Sequence, residues 1–340
     1  MFGLGWLRAL TDARGLLEHA HHGVPRLGEG YTTDDNARAL LYLSLLPEGA
    51  RDEGLVRTYL AFLLHMQKED GRFRNGLTLD GRFEDEGEAE DPTGRADLAL
   101  AAAQRLPPPY AGPAREALLR ALPALEGFTS LRGRAYALLG LLALPKEPFL
   151  EAAEALGEGL LRAFREAEPA WPYPGPLTYA NHRPVEALYA YGLAFRRQEA
   201  VALARRALAF LKEHYFTPGE EGLFFDPVGN RFMARGRDKP LFDQQPIEAK
   251  CALLAHLRFG ERVLAEVAFL WFHGRNRLRA PLVDAFGPMD GLTPHGPNQN
   301  RGAEALLAYL LAWQALVQGV FPQVDEGVAL GRVFALGGRP

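Results

Sequence analysis

The sequence has a single cysteine, Cys251, in 340 residues, so it can form no internal disulfide. Its 38 Lys and Arg residues are dispersed among 42 acidic ones, and this pattern gives no indication of a nucleic-acid surface. No apolar run reaches the roughly 18 to 20 residues of a membrane span. Residues 1–8 lack the features of a signal peptide. We therefore predict a cytoplasmic protein with no nucleic-acid or membrane partner, and its Leu, Ala, Arg and Glu content is thermophile-like.

A short polar run followed by an Ala/Leu-rich apolar segment occurs six times along the chain. The copies lie at 32–40, 90–98, 130–136, 181–187, 243–249 and 298–305. They are roughly 40 to 60 residues apart, about the length of two helices with their connections. Each polar run is expected at a helix N-terminus. If those helices run parallel around a ring, all six runs meet at one end.

A second set of segments has the spacing of amphipathic helices. These segments are 5–20, 52–67, 113–128, 147–165, 197–214 and 261–273. The polar-start helices, in contrast, are apolar nearly all round at 40–46 and 135–142, which indicates burial on every side. Six buried helices alternating with six half-exposed ones predict one all-α domain over 1–340, the (α/α)6 toroid. An open helical solenoid is the alternative, but it gives no reason for helices that are apolar all round.

Three segments depart from this helical pattern. Alternation around Asp80-Gly81 predicts a β-hairpin over 72–83, and a second hairpin is predicted over 223–233. Both hairpins precede a polar-start helix, so both are expected at the same mouth. The tail at about 320–340 is predicted to be an irregular strap.

Carboxylates in the polar runs are the candidates for catalysis. Thr33 or Asp34 could cap its helix, but capping explains only one of the adjacent pair Asp34 and Asp35. Asp91 either caps the helix that Pro92 opens or faces the mouth. The predicted catalytic carboxylates are Asp35, Asp91 and Glu304. A pair of carboxylates can supply an acid and a base, or an acid and a nucleophile.

Side chains suited to hydroxyl recognition and to packing against sugar rings accompany these carboxylates. Two of the polar runs add several amide groups that helix capping does not need. The predicted substrate-binding residues are Tyr31, Asp34, Arg38, Glu90, Arg95, Trp171, Asn181, Arg183, Asp243, Gln244, Gln245, His295, Asn298 and Asn300; Asp290 precedes the last run. We expect no metal and no cofactor, because histidines with acidic partners at ligand spacing and a Gly-rich phosphate loop are both missing. The set fits a pocket for a mono- or oligosaccharide.

The sequence resembles a bacterial family of (α/α)6 domains of the six-hairpin glycosidase type. These domains are often fused to, or adjacent to, glycosyltransferases. The similarity is carried by 10–12, 19–20, 24–25, 30–40, 71–75, 90–96, 177–181, 242–249, 274–276, 291–296 and 300–304. It implies the toroid, a link to carbohydrate and a separate glycosyltransferase as a possible partner. Where the family usually has Ser-Thr after Gly-Ala-Glu, this chain has Ala305-Leu306, so its ligand contacts there would differ.

The leading hypothesis is therefore a glycoside hydrolase-like protein with a carboxylate pair in a central pocket. A non-catalytic glycan-binding scaffold for a glycosyltransferase is the first alternative. Sugar epimerisation or isomerisation is the second, and it would place His182 and His295 together in the pocket. A prenyl-chain cyclase is disfavoured by the polar mouth.

Overall fold

The computed structural model describes residues 3–144, 146–220 and 222–320. Its inner helices are α2 (Thr33–Ser44), α4 (Glu90–Ala103), α6 (Leu131–Leu141), α8 (His182–Ala194), α10 (Pro246–Arg258) and α12 (Ala303–Gln318). Its outer helices are α1 (Leu4–Ala9), α3 (Glu53–Met66), α5 (Pro108–Leu125), α7 (Phe149–Glu166), α9 (Gln198–Tyr215) and α11 (Arg262–Leu270). Each inner helix packs against the next, and α12 returns to α2, which closes the ring. The (α/α)6 toroid is confirmed. The predicted strap at about 320–340 lies outside the described residues, apart from Val320.

Burial follows the predicted division into inner and outer helices. In α2 every residue except Asp34 is buried, and in α4 only Glu90 and Asp91 are not. These exceptions all lie in the first turn, at the mouth. In α3 the buried face includes Leu55 and Tyr59 at the predicted spacing, and the opposite face is exposed. The inner ring is thus apolar around its circumference and polar at the N-terminal end.

Glycines allow inner helices α4 and α6 to approach closely. A Cβ atom on Gly94 would lie 2.4 Å from the carbonyl oxygen of Gly133. That distance is far below van der Waals contact, so a larger residue would force the two helices apart. The glycine in the polar run at 90–98 therefore serves packing between helices.

Five short antiparallel strand pairs occur among the described residues, which also contain two 3-10 turns, Leu27–Glu29 and Glu48–Ala50. Every strand pairs with its neighbour in chain order, and only β3 and β4 have helices, α2 and α3, between them. They are β1 (Ala20–His21), β2 (Val24–Pro25), β3 (Tyr31–Thr32), β4 (Gly76–Leu77), β5 (Phe216–Gly219), β6 (Gly222–Phe225), β7 (Val283–Asp284), β8 (Gly287–Pro288), β9 (Gly291–Thr293) and β10 (Gly296–Asn298).

Both predicted hairpins need correction. The tight turn at 78–82 exists, with Leu77 bridged to Phe83, but the strand β4 pairs with β3. The second hairpin begins earlier, because β6 pairs with the preceding β5, whereas Met233 bridges to Leu177.

The predicted first helix, 5–20, is wrong beyond residue 9. The Asp12 carboxylate accepts hydrogen bonds from the backbone amides of Arg14 and Gly15, at 2.8 and 3.2 Å. This turn keeps the helix from continuing beyond α1. The chain then runs extended, and the Leu16 amide donates to Asn36 of α2 at 2.9 Å. As a result, residues 16–20 return to the mouth of the ring.

Candidate active site

A pocket of about 250 Å³ opens at the mouth between the first and last inner helices. The predicted residues that line it are Asp34, Asp35, Arg38, Gln245 and Glu304. Residues not predicted for the site also line it: Glu18, His19, Thr32, Asn75, Asp290, Gly302 and Ala305. The pocket therefore combines five carboxylates with one guanidinium, one imidazole and two amides.

Arg38 connects the carboxylates of two helices. Its Nη1 donates to Asp35 at 2.5 Å, and its Nη2 donates to Glu304 on α12 at 3.0 Å. Two arms of one guanidinium place these carboxylate oxygens at most roughly 8 Å apart. Nη2 also lies 3.9 Å from Asp34, which forms a close ion pair with Arg95 of α4.

Asp35 is the most enclosed of these carboxylates. Thr32 caps α2 by accepting from the Asp35 amide at 3.2 Å, and its hydroxyl donates to the Asp35 carboxylate at 3.0 Å. Because Thr32 is the cap, neither Asp34 nor Thr33 has that role. Burial raises the pKa of Asp35, Arg38 opposes this shift, and the Glu304 carboxylate adds to it. With its side chain 4% exposed, Asp35 holds Arg38 in place, whereas the Glu304 side chain is 39% exposed.

Glu18 is the acid–base candidate that the sequence analysis missed. Its backbone carbonyl accepts from the Ala303 amide at 2.9 Å, which fixes it beside the start of α12. Burial raises the pKa of Glu18 to about 7, the Asp35 carboxylate adds to the shift, and His19 opposes it. A carboxyl group with this pKa can carry a proton at neutral pH.

Asp290 completes the acidic wall of the pocket. It accepts from the Gly302 amide at 2.6 Å. Burial raises the pKa of Asp290, opposed by the Gly302 amide and His19 and reinforced by the Glu304 and Asp35 carboxylates. A Cβ on Gly302 would lie 3.1 Å from the Glu18 carbonyl and 3.3 Å from Asp290, so a larger residue would displace these groups by a few tenths of an ångström.

Asp91 lies outside this pocket, in a saturated contact network. It accepts from Ser130 at 2.6 Å, from Arg132 Nε at 2.7 Å and from the Tyr179 hydroxyl at 2.8 Å. Despite burial, Arg132 and these hydrogen bonds lower its pKa. Neighbouring Glu90 accepts from the backbone amides of residues 129 and 130, which ties α4 to the start of α6. These contacts tie α4 to α6 and to the loop before α8.

Polar residues of the fourth and fifth runs divide between structural contacts and the pocket. The Gln244 amide donates to Asp226 at 2.8 Å and accepts from Trp271 at 2.9 Å, so it cannot serve a ligand. Asn181 is buried, and its amide donates to Tyr215 at 2.7 Å. Asp243 is exposed with a positive φ of 60°. Of this group only Gln245 lines the mouth pocket.

The remaining predicted contacts also lie outside the pocket. Tyr31 is fully buried and donates to Asp12 at 2.6 Å. Trp171 lines a separate surface groove, where its indole N–H donates to the Gly175 carbonyl at 2.8 Å. Asn298 accepts from the amide of Asn300 and thereby shapes the loop before α12.

The two histidines of the epimerase hypothesis occupy different environments. His182 is completely buried, with its ring 4.8 Å from Tyr215 and 5.8 Å from His256. His295 is exposed at the turn between β9 and β10. Neither of them lines the mouth pocket, where the histidine is His19. The pair that this hypothesis requires is therefore not formed.

Polar contacts nevertheless run all the way around the mouth. Arg38 joins α12 to α2, Asp34 joins α2 to α4, and Asp91 joins α4 to α6 and to the loop before α8. Glu248 of α10 accepts from the backbone amide of residue 180, which links α10 to the loop before α8. Gln245, just before α10, lines the same pocket as Glu304 of α12. The six polar runs meet at one end of the ring, as predicted, and the mouth pocket lies on the side of α12 and α2.

The departure from the family pattern falls on this cavity. Ala305 lines the pocket, so a serine in its place would face the same space. Leu306 is buried and lines a small apolar cavity with Trp6 instead.

No family model matches the chain, and no curated protein matches it. Solved structures are similar over nearly the whole length. A D-mannose isomerase is 11% identical with a TM-score of 0.67, and the match covers 94% of this chain and 95% of the isomerase chain. Cellobiose 2-epimerase from Bacillus thermoamylovorans is 9% identical with a TM-score of 0.68, covering 91% and 95%. A GH76 α-mannanase from Bacteroides thetaiotaomicron is 10% identical with a TM-score of 0.60, covering 98% and 95%. At these identities the similarity establishes the shared toroid.

Two features are absent from residues 3–144, 146–220 and 222–320. No three His, Cys, Asp or Glu side chains there are placed to hold a metal ion. No helix in those ranges has the length and apolarity to cross a membrane.

Proposed function

We propose that this protein is a carbohydrate-active enzyme that binds a mono- or oligosaccharide at the mouth and acts by carboxylate acid–base catalysis. The observation that carries the proposal is the meeting of Glu18, Asp35 and Glu304 in one cavity with Arg38. The amides of Asn75 and Gln245 line the same cavity and supply donors and acceptors for hydroxyl groups. Toroids that act on mannose, cellobiose and mannan, by the names of those proteins, are consistent with it.

Glycoside hydrolysis is the reaction that these groups fit best. Glu18 donates its proton to the leaving oxygen as the bond from that oxygen to the anomeric carbon breaks. Glu304, the more exposed partner of Arg38, takes a proton from the water that attacks the anomeric carbon. Asp35 is a positioning residue in this scheme, because it is enclosed and orients Arg38. Asp91, an initial catalytic candidate, stabilises the opposite side of the mouth.

The test is a screen of the purified protein against aryl glycosides and oligosaccharides, with and without phosphate, followed by NMR of the products. Release of a reducing sugar that requires both Glu18 and Glu304 would support hydrolysis. Sugar binding that survives Glu304→Gln, with no turnover of any substrate, would instead indicate the glycan-binding scaffold and its separate glycosyltransferase. A change of configuration at a sugar carbon without cleavage would indicate an epimerase.

A further inference from the structure

A layer of buried cationic side chains lies within the first two turns of four inner helices, and one of them, Arg38, also lines the mouth pocket. Arg38, Arg95, Arg183 and Lys250 come from α2, α4, α8 and α10, and each is at most 6% exposed. The Arg95 and Arg183 guanidinium carbons lie 4.8 and 5.6 Å from the ring centre of Tyr136 on α6. Helices α4 and α8 are the two neighbours of α6 in the ring. Lys250 belongs to α10, across the ring from α4, and interacts electrostatically with Arg183, Arg38 and Arg95, so cations from both sides of the ring meet near its axis.

Several donors in this layer have no acceptor. Lys250 has neither a hydrogen bond nor an ion pair with any described residue. In the same part of the chain, hydrogen-bond partners are also missing for Arg95 Nε and Nη2, Arg183 Nε, Arg38 Nε and Tyr136 OH. A buried donor without an acceptor is unfavourable. The number of such donors in this layer therefore indicates that a ligand supplies oxygen atoms there.

Three carboxylates are paired with cations near the layer, whereas one oxygen of Asp34, one of Glu248 and both of Asp97 have no hydrogen-bond partner among the described residues. Asp34 and Asp35 pair with Arg95 and Arg38. Glu186 accepts from Arg183 at 2.5 Å and from Arg258 of the neighbouring helix α10 at 3.0 Å. Of the four described cations in this layer, Lys250 is therefore the one without an ion pair. A ligand that brings negative charge and several oxygen acceptors would complete the layer.

Building on the proposed function, we propose that the substrate is an acidic sugar, one that carries a phosphate or carboxylate group. That group lies on the axis against Lys250, Arg95 and Arg183, and the hydroxyl groups face the carboxylates of the mouth. The orientation follows from charge, because the carboxylates of Glu304 and Asp34 would repel an anionic group placed at the rim.

The experiment measures affinity by titration calorimetry at pH 6.5 and low salt. The probes are glucose, mannose and galactose, their 6-phosphates, their uronic acids, glucosamine and inorganic phosphate. We expect one acidic class to bind at least about tenfold more tightly than its neutral sugar, and the tighter class identifies the group. Lys250→Met should remove that preference, and Lys250→Arg should retain it. The exposed Lys212 gives the control variant Lys212→Met, which should bind like the wild type.

Equal affinity for neutral and acidic sugars would overturn the inference and leave the proposed function intact. Tighter binding of glucosamine would overturn it in favour of a cationic sugar. Failure of every sugar in the panel to bind would contradict the proposed function itself. The wild-type panel decides these outcomes even if Lys250→Met does not fold.

Discussion

The two sides of the mouth are built from the same repeated motif, a polar run followed by an apolar helix, but they differ in what their carboxylates contact. Between α12 and α2, Glu18 and Glu304 border a cavity. Between α4 and α8, Asp91 receives three side-chain hydrogen bonds from Ser130, Arg132 and Tyr179. The comparison teaches that a polar run at a helix start marks a possible site. Whether its carboxylates are available to a ligand depends on how many of their hydrogen bonds are already made within the protein.

The largest expected effect separates the two sides by activity. Glu304→Gln should lower kcat about 10²- to 10⁴-fold, because it removes the proton acceptor. Asp91→Asn is the matched variant of the other side and should change kcat by only a few-fold. Steady-state kinetics with thermal melts measures both. Equal losses of kcat in the two variants would break the comparison.

Arg38 should matter more for stability than Arg132 does. Arg38→Met leaves the enclosed Asp35 without its counter-ion, so we expect a loss of about 3 to 5 kcal/mol in the free energy of unfolding. Arg132 is 25% exposed, and Arg132→Met should cost less, since water can reach Asp91. Urea unfolding measures both variants. The double variant Arg38→Met, Asp35→Asn should recover part of the loss; no recovery would show that the stranded charge is not the cause.

The pH profile should reveal Glu18. Its pKa is raised to about 7, and the proposed proton donor must be protonated, so kcat/KM should fall as pH rises through about 7. Each further pH unit should reduce kcat/KM about tenfold. In Glu18→Gln the residual activity should lack this alkaline limb. An unchanged limb in that variant would assign the titration to another group.

The smallest effect should come from the position that departs from the family. Ala305→Ser introduces a hydroxyl into the pocket and should change KM less than about tenfold, with kcat nearly unchanged. Leu306→Ser is the contrasting variant; it should destabilise the fold without affecting KM, because Leu306 is buried away from the pocket. An effect on KM from Leu306→Ser alone would reverse the assignment of the two positions.

The toroid could be predicted because burial leaves a strong signal in the sequence. Helices that are apolar all round must be enclosed, and their parallel arrangement brought Asp35, Arg38, Gln245 and Glu304 to one mouth. Hydrogen-bond saturation has no such signal. Nothing in the sequence around Asp91 indicates that the hydroxyl of Tyr179, far away along the chain, donates a hydrogen bond to it.

Glu18 was missed for a local reason. Apolar spacing over 5–20 favours a helix, and an outer helix would have carried Glu18 away from the mouth. The turn signal was available in Asp12 and Gly15, since an Asp side chain that accepts backbone amides two and three residues later ends a helix. Asp290 lies in a loop whose path depends on β9 and β10, and short strands of this kind have little periodicity.

The pocket spans the seam where the ring closes: Glu18 and Arg38 come from its beginning, and Asp290 and Glu304 from its last inner helix and the loop before it. A nascent chain therefore carries half of the cavity wall for most of its synthesis. The cavity can form only after residues beyond about 304 have left the ribosome. Fragments lacking α12 would be missing Glu304 and the Ala303 amide that holds Glu18, however well their other helices pack.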